Sequence, residues 1–292
     1  MTDLPSFDLQ AHSCLSDGEL QPAEVVAAAA AVGVRLLALS DHDTVEGVDA
    51  ALDAGRRHGV EVVSAAELSA IDADGDGLDL HILGYSIDHT DGRLSEQLAE
   101  FRADRERRCW RMVDALRESG LELDDTPLRA RVRAGQPLGR PHLAAAVAVH
   151  PANAERLSDE RLGDSSAVLE AYLIPGRPGF RTREIPTVAD AVAAIHQAGG
   201  VAVWAHPFWD VEDPAVVLAT IERFRELGID GVEAFYVTHT REQTLLLADC
   251  CERLGLLSTG SSDFHGPHHR FFSRFLAHRL YGREPRLGPI GA

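Results

Sequence analysis

The alternation of short apolar runs with helical stretches constrains this chain more than any other feature. VRLLALS (34–40) is continuously apolar, as expected of a parallel strand covered on both faces. Short strands are also predicted at 7–10, 60–66, 80–86, 201–205, 231–235 and 256–260. Between them lie helical stretches at 22–32, opened by Pro22, and at 45–58, 187–198, 214–227 and 240–254. Strands separated by helices imply βαβ units and a mostly parallel sheet, hence an α/β fold and, at this length, a barrel.

The texture changes near residue 94. A long charged helical stretch (94–119) is followed by short helical pieces to about 173, with few strand signals. The expectation is a barrel domain built from residues 1–93 and 180–292, interrupted by a helical subdomain at 94–179. The Arg- and His-rich tail from His268 reads as a loop over the surface. No internal repeat is evident.

Composition excludes several classes of function. A net charge of −18 argues against a broad grip on long nucleic acid, though not against a small phosphorylated ligand held through divalent cations. All 28 basic residues are arginine, which rules out any mechanism that needs lysine. No apolar run is long enough to span a membrane, and the N-terminus lacks the basic and apolar segments of a secretory signal. The four cysteines show no CxxC spacing, so a cytoplasmic protein with reduced thiols is expected. Nothing calls for an obligate protein partner.

Polar residues gather where the predicted strands end. His12 and Asp17 follow the first strand, and Asp41, His42 and Asp43 the second. Glu67 closes the third and His81 lies on the fourth. His206 follows VAVWA, Glu233 ends GVEAF, and Asp263 and His265 follow LLSTG. In a barrel of parallel strands the C-terminal ends share one mouth, so these residues converge. Imidazole and carboxylate ligands suit zinc, manganese or iron, and two or three such ions can activate water and stabilise a phosphoryl group. Each His beside an Asp is, taken alone, more often a structural pair; it is the phasing with the strand ends that favours ligation. His58 and His196 sit late in helices, and His89, His150 and His278 in loops or exposed helical stretches, so these read as structural. His268 and His269 read as solvated. Asp72, Asp74, Asp76 and Gly77 imitate half of a calcium-binding EF-hand loop, but Leu83 stands where the bidentate Glu belongs, and a hairpin turn is the better reading.

The blocks FDLQAHSCLSDG, LALSDHDTVEG, AELSA, HILGY, GRPHLA, AHPFW, GVEAFYVTHT and TGSSDFHGP, in this order over about residues 7–267, resemble the polymerase and histidinol phosphatase (PHP) family. Within it they are most similar to the TrpH-like metal-dependent phosphoesterases. The resemblance implies a distorted seven-stranded β/α barrel with two or three divalent metal ions (manganese, iron or zinc) at its mouth. It implies His12, Glu67 and Asp263 at one metal, Glu67 with His81 and His206 at a second, and Asp17, His42 and His265 at a third. One departure stands out: Gln10 occupies the place of the family's first metal-binding histidine, and an amide oxygen is a weaker donor than imidazole. That leaves a weakened first site, a shift toward manganese or magnesium, or the loss of one ion as open outcomes.

The expected function is hydrolysis of a phosphate monoester by a metal-bridging hydroxide. The substrate implied is a small nucleotide, the 3′-phosphate of a nucleoside 3′,5′-bisphosphate. Asp263, His265 and His206 are the candidate catalytic residues, while Arg140, His142, Arg177 and His239 are candidate substrate contacts, arginine because its planar fork suits phosphate. Alternatives are a histidinol-phosphate-type phosphatase, a 5′-3′ exonuclease on short oligonucleotides, an amide hydrolase of similar fold, and a non-catalytic metal or nucleotide binder.

Overall fold

The computed structural model describes residues 5–73, 75 and 77–291. Among the described residues the chain forms two compact units, one running up to Ala99 and resuming at Pro186, the other comprising residues 100–185. Helices α1 (Pro22–Ala31) and α2 (Val48–His58) belong to the first unit. Helix α3 (Gly92–Glu118) begins there and continues into the second, which also holds α4 (Thr126–Arg133), α5 (Arg140–Ala148), α6 (Ala154–Asp159) and α7 (Ser165–Tyr172). The first unit resumes with α8 (Val188–Gln197), α9 (Pro207–Asp210), α10 (Pro214–Glu226) and α11 (Arg241–Leu254). Both boundaries fall slightly later than the sequence suggests.

The first unit is a distorted, nearly closed β/α barrel. Its seven strands are β1 (Phe7–Asp8), β2 (Leu36–Leu39), β3 (Glu61–Ile71), β4 (Asp79–Tyr85), β5 (Val201–Trp204), β6 (Gly231–Tyr236) and β7 (Leu257–Ser261), paired in chain order. Backbone bonds close the ring between the first and last strands: Leu9 N–H to the Gly260 carbonyl (3.1 Å), Phe264 N–H to Gln10 (3.3 Å) and His12 N–H to Phe264 (2.8 Å). Phe7, Leu9, Val63, Ala65, Leu83, Tyr85 and Val203 pack together, and the Tyr85 hydroxyl donates to the Leu9 carbonyl at 2.8 Å. That bond satisfies a phenol which is otherwise fully buried. Helices α1 and α2 cover β2 with Val25, Val26, Ala29, Ala51 and Ala54.

The sheet departs from the expected mostly parallel order at one strand. β4 runs antiparallel to both β3 and β5, with Glu67 opposite Leu83 and Ser69 opposite His81. A short hairpin connection produces this geometry, whereas a parallel pair needs a crossover. One reading of the sequence changes: Glu67 does not close β3 but sits in its interior, while His81 lies near the beginning of its strand. Asp72, at the hairpin, is held by the Arg223 guanidinium. Asp74 and Asp76 lie outside the described residues.

The tail is anchored rather than merely draped over the surface. Leu276 N–H donates to Asp8 (2.8 Å), Ser258 N–H to the Arg286 carbonyl (3.0 Å), and Phe272, His278 and Ile290 are buried. His278 lies in a loop and is structural, as expected, and it is buried within the packed tail. It stacks obliquely 5.2 Å from Phe7, and neither ring nitrogen has a hydrogen-bond partner. Burial, with help from Arg279, pushes its pKa down from 6.5 to about 3. Below pH 6.5 the unfolded chain thus takes up a proton that the folded chain refuses, so stability present above that pH is lost as pH falls toward 3. Urea unfolding should show His278→Leu losing about 2 kcal/mol less stability than wild type between pH 7 and pH 5. Equal losses in the two proteins would refute the assignment.

The second unit has its own core, in which Met112, Val113, Leu116, Leu121, Leu143, Val147, Val168 and Leu173 are buried. No helix among the described residues is long and apolar enough to cross a membrane. The four cysteines are unpaired.

Candidate metal centre

Strand pleating brings the first ligands together. On β3, Val63, Ala65 and Glu67 alternate onto one face, as do His81, Leu83 and Tyr85 on β4, so the side chains that pack the barrel interior carry Glu67 and His81 with them. Glu67 is fully buried and its two carboxylate oxygens face different neighbours. Oε2 lies 3.0 Å from His12 Nε2 and 3.7 Å from His42 Nδ1, while Oε1 lies 2.7 Å from His81 Nδ1 and 3.2 Å from His206 Nε2. Asp263 Oδ1 approaches His12 Nε2 at 3.1 Å. On the open side Asp17 faces His42 Nε2 (3.5 Å), His265 Nε2 (3.4 Å) and His12 Nδ1 (3.7 Å).

Three overlapping groups offer ligand atoms within 4.8 Å of one another: His12, Glu67 and Asp263; His42, Glu67 and His81; and His12, Asp17, His42 and His265. The first coincides with an expected trio. In the second, His42 stands where His206 was expected, though His206 stays beside Glu67. The third gains His12.

The donors fit divalent cations on their own evidence. His12 Nε2, His42 Nδ1, His206 Nδ1 and Asp263 Oδ1 are buried without a properly directed hydrogen bond, although carboxylate oxygens or imidazole nitrogens surround them. Orphaned polar atoms are costly, and a shared cation relieves several together. Burial drives His42 down to about 4, leaving it neutral at pH 7 with a lone pair to donate. Burial opposes ionisation of Glu67, but His42, His81, His12 and His206 together hold it well below the usual carboxylate range. Burial likewise works against Asp263, whose pKa the neighbouring His265 and His12 bring down to about 2.

Gln10 also lies against this carboxylate. Its amide Nε2–H donates to Glu67 Oε2 at 2.8 Å, and its oxygen accepts from the Ser261 hydroxyl at 3.3 Å. In this arrangement the oxygen is directed away from the carboxylate, so the side chain holds Glu67 in place.

Around the cluster, buried acids fix the loops. Asp41 accepts from Ser13 N–H (2.7 Å), Ser13 Oγ (2.7 Å) and Ser16 Oγ (2.6 Å), while Asp43 accepts from Ser69 N–H (2.9 Å). Asp8 receives Ser262 N–H (2.8 Å) and Ser262 Oγ (2.6 Å), and burial lifts its pKa to about 7. Glu233, lifted by burial to about 8, accepts the His206 N–H at 2.9 Å. Asp43, His206 and Asp263 all adopt left-handed backbone (φ 53°, 31° and 53°). Such conformations are strained for side-chain-bearing residues, and at His206 and Asp43 the acid contacts hold them.

Sequence reasoning missed Tyr236, whose hydroxyl donates to Asp263 Oδ2 at 2.7 Å and so turns Oδ1 toward His12. Read as an ordinary strand aromatic, it gave no signal of this. Of the four candidate substrate contacts, His239 belongs to the barrel unit. It is buried, its Nδ1 faces the Ala234 carbonyl (3.2 Å), and its ring packs edge-on to Phe208 and Tyr236. Arg140, His142 and Arg177 belong to the helical unit. There His142 Nδ1 accepts the Gly139 N–H (3.1 Å), capping α5, and lines a cavity of about 950 Å³ with Leu128, Ala145 and Val149. Arg177 is exposed in a turn.

Comparison with known proteins gives the family. The PHP domain family is matched over residues 8–127. A 5′-3′ exoribonuclease of Haemophilus influenzae is 31% identical over 89% of this chain and 90% of its own length. A 3′,5′-nucleoside bisphosphate phosphatase of Chromobacterium violaceum is 31% identical over 90% of this chain and 88% of its own. A phosphoribosyl 1,2-cyclic phosphate 1,2-diphosphodiesterase of Eggerthella lenta is 32% identical over 96% and 97%. Among solved structures, an amidohydrolase from Chromobacterium violaceum with bound sulfate superimposes with a TM-score of 0.75 at 29% identity, covering 93% of this chain and 91% of that one. A candidate metal-dependent phosphoesterase from Bifidobacterium adolescentis gives 0.70 at 27% identity, covering 92% and 91%. The chain belongs to the PHP domain family. Family and site together define its class, a metal-dependent phosphoesterase.

Proposed function

We propose that the enzyme removes the 3′-phosphate from nucleoside 3′,5′-bisphosphates. The observation that carries this reading is the convergence of four imidazoles on the two oxygens of one buried carboxylate, Glu67, beneath an open side lined by Asp17 and His265. It is supported by the relatives, whose names all describe hydrolysis of phosphate esters of ribose or its nucleotides. On this reading His12, Glu67 and Asp263 hold one divalent ion; Glu67, His81 and His42 or His206 hold a second; and Asp17, His42, His12 and His265 provide a third position. Bound there, such ions supply a water-derived nucleophile at neutral pH and offset charge on the phosphoryl oxygens.

The chain's own groups do the positioning. Glu67 sets the spacing because each of its oxygens serves a different group of histidines. Tyr236 orients Asp263, and Glu233 fixes the His206 backbone. On this reading the leaving oxygen takes its proton from an acid or water near Asp263 or His265, with His206 on the opposite side of Glu67. Arg140, His142, Arg177 and His239 stay candidate substrate contacts on the chemistry of their side chains.

Phosphate release from adenosine 3′,5′-bisphosphate, with manganese added or withheld, tests the reading. Manganese-dependent release with adenosine 5′-monophosphate as the product is expected. Release of the 5′-phosphate, or faster release from histidinol phosphate, would overturn it. A second reading, stepwise 5′-3′ hydrolysis of short RNA, is favoured by the exoribonuclease relative. Mononucleotides appearing from a 5′-phosphorylated tetranucleotide faster than phosphate from the bisphosphate would select it.

A further inference from the structure

Among the described residues, two of the large apolar side chains most exposed are aromatic, and both lie in segments that follow barrel strands, β5 and β7. Trp209, 51% exposed, lies in α9 three residues after His206, and Phe271, 57% exposed, lies six residues after His265. Each contacts Phe272, with ring centroids 5.5 Å away for Trp209 and 6.2 Å for Phe271. Phe272 is buried and continues inward to His265 (5.5 Å), His269 (5.1 Å) and Tyr236 (6.1 Å). A set of rings in contact thus runs from His265 to two aromatic side chains that are about half exposed.

Solvating two large rings is unfavourable, and neither is needed to complete the barrel core, whose aromatics are already buried. The Arg270 guanidinium lies 4.8 Å over the Phe271 ring, placing a positive charge beside the apolar faces in a strongly acidic chain. Flat apolar faces, an adjacent cation and continuity with a phosphoesterase centre describe a ligand that is planar at one end and anionic at the other.

We propose that Trp209 and Phe271 form a stacking platform for the nucleobase of the substrate and make the enzyme prefer nucleotides to base-less sugar phosphates. This rests on the proposed hydrolysis of a nucleotide and adds the part of the pocket that recognises the base. Stacking tolerates any base, because every base presents a π-face, so the platform selects for the presence of a base rather than its identity. Trp209 is also the most exposed of the three tryptophans, Trp204 being fully buried and Trp110 partly so, which makes it a natural reporter.

The test compares adenosine 5′-monophosphate with ribose 5-phosphate on manganese-loaded wild type, the double variant Trp209→Ala/Phe271→Ala, and Trp209→Phe. Binding is followed by tryptophan fluorescence for the wild type and by calorimetry for all three. Adenosine 5′-monophosphate should quench the wild type, ribose 5-phosphate should not, and the double variant should bind the nucleotide about 10-fold more weakly or worse. Its affinity for ribose 5-phosphate should change less than about 2-fold, and Trp209→Phe, which keeps a ring, should recover most of the loss. An equal loss for both ligands, or none for the nucleotide, overturns the platform and leaves the rings as a protein contact. If discrimination is found but adenosine 3′,5′-bisphosphate releases no phosphate, the platform stands and the reaction assigned above falls. Turnover without discrimination is the opposite result.

Discussion

Glu67→Gln should reduce phosphate release by about three orders of magnitude or more and remove most of the bound metal. The carboxylate is buried, receives a hydrogen bond from Gln10, and lies between His12, His42, His81 and His206 at 2.7–3.7 Å. An amide of the same shape removes the negative charge that two groups of ligands share. It also turns N–H groups toward nitrogens that must donate lone pairs. Metal per chain by elemental analysis, turnover, and the thermal unfolding midpoint should be measured together, so that loss of metal is separated from loss of fold. A folded variant with wild-type metal and turnover would remove Glu67 from the centre.

Gln10→His should act in the opposite direction. Gln10 uses its N–H on Glu67 and its oxygen on Ser261, so the position beside His12 has a carboxylate-orienting group where an imidazole ligand would add a bond. Supplying the imidazole should tighten the ion held by His12, Glu67 and Asp263 by about 10- to 100-fold, the range seen when groups around metal ligands are altered. Competition with a calibrated chelator reads this directly, whatever happens to turnover. Unchanged or weaker binding would mean that Gln10 already contributes as much as an imidazole can.

Strand positions and most residues of the candidate site were legible because they follow from local pattern. Apolar runs mark strands whose faces are covered, and His and Asp immediately after them mark loops that share a mouth. Strand direction was legible only at the hairpin turn near Asp72, because nothing in HILGY itself distinguishes a parallel from an antiparallel strand. Glu67 reads as a strand end because the sequence pattern of the strand stops before it, whereas the paired strand continues to Ile71. Tyr236 was invisible for another reason. A tyrosine in GVEAFY satisfies strand propensity whether or not its hydroxyl reaches Asp263. The anchoring of the tail was not legible because an Arg- and His-rich composition suggests solvent, whereas Phe272, His278 and Ile290 are tucked in.

The ring is closed by residues from opposite ends of the barrel sequence. Asp8 binds Ser262, 254 positions later, and His12 bonds backbone to backbone with Phe264. Contacts this distant are among the last to form, since the intervening chain must give up its freedom before they can be rewarded. On the proposed assignment, the His12–Asp263 pair that holds an ion spans this same junction. During synthesis, then, the catalytic centre cannot exist until β7 has emerged and docked on β1. A partly made chain is silent toward phosphate esters, and the onset of activity marks the moment at which the barrel becomes whole.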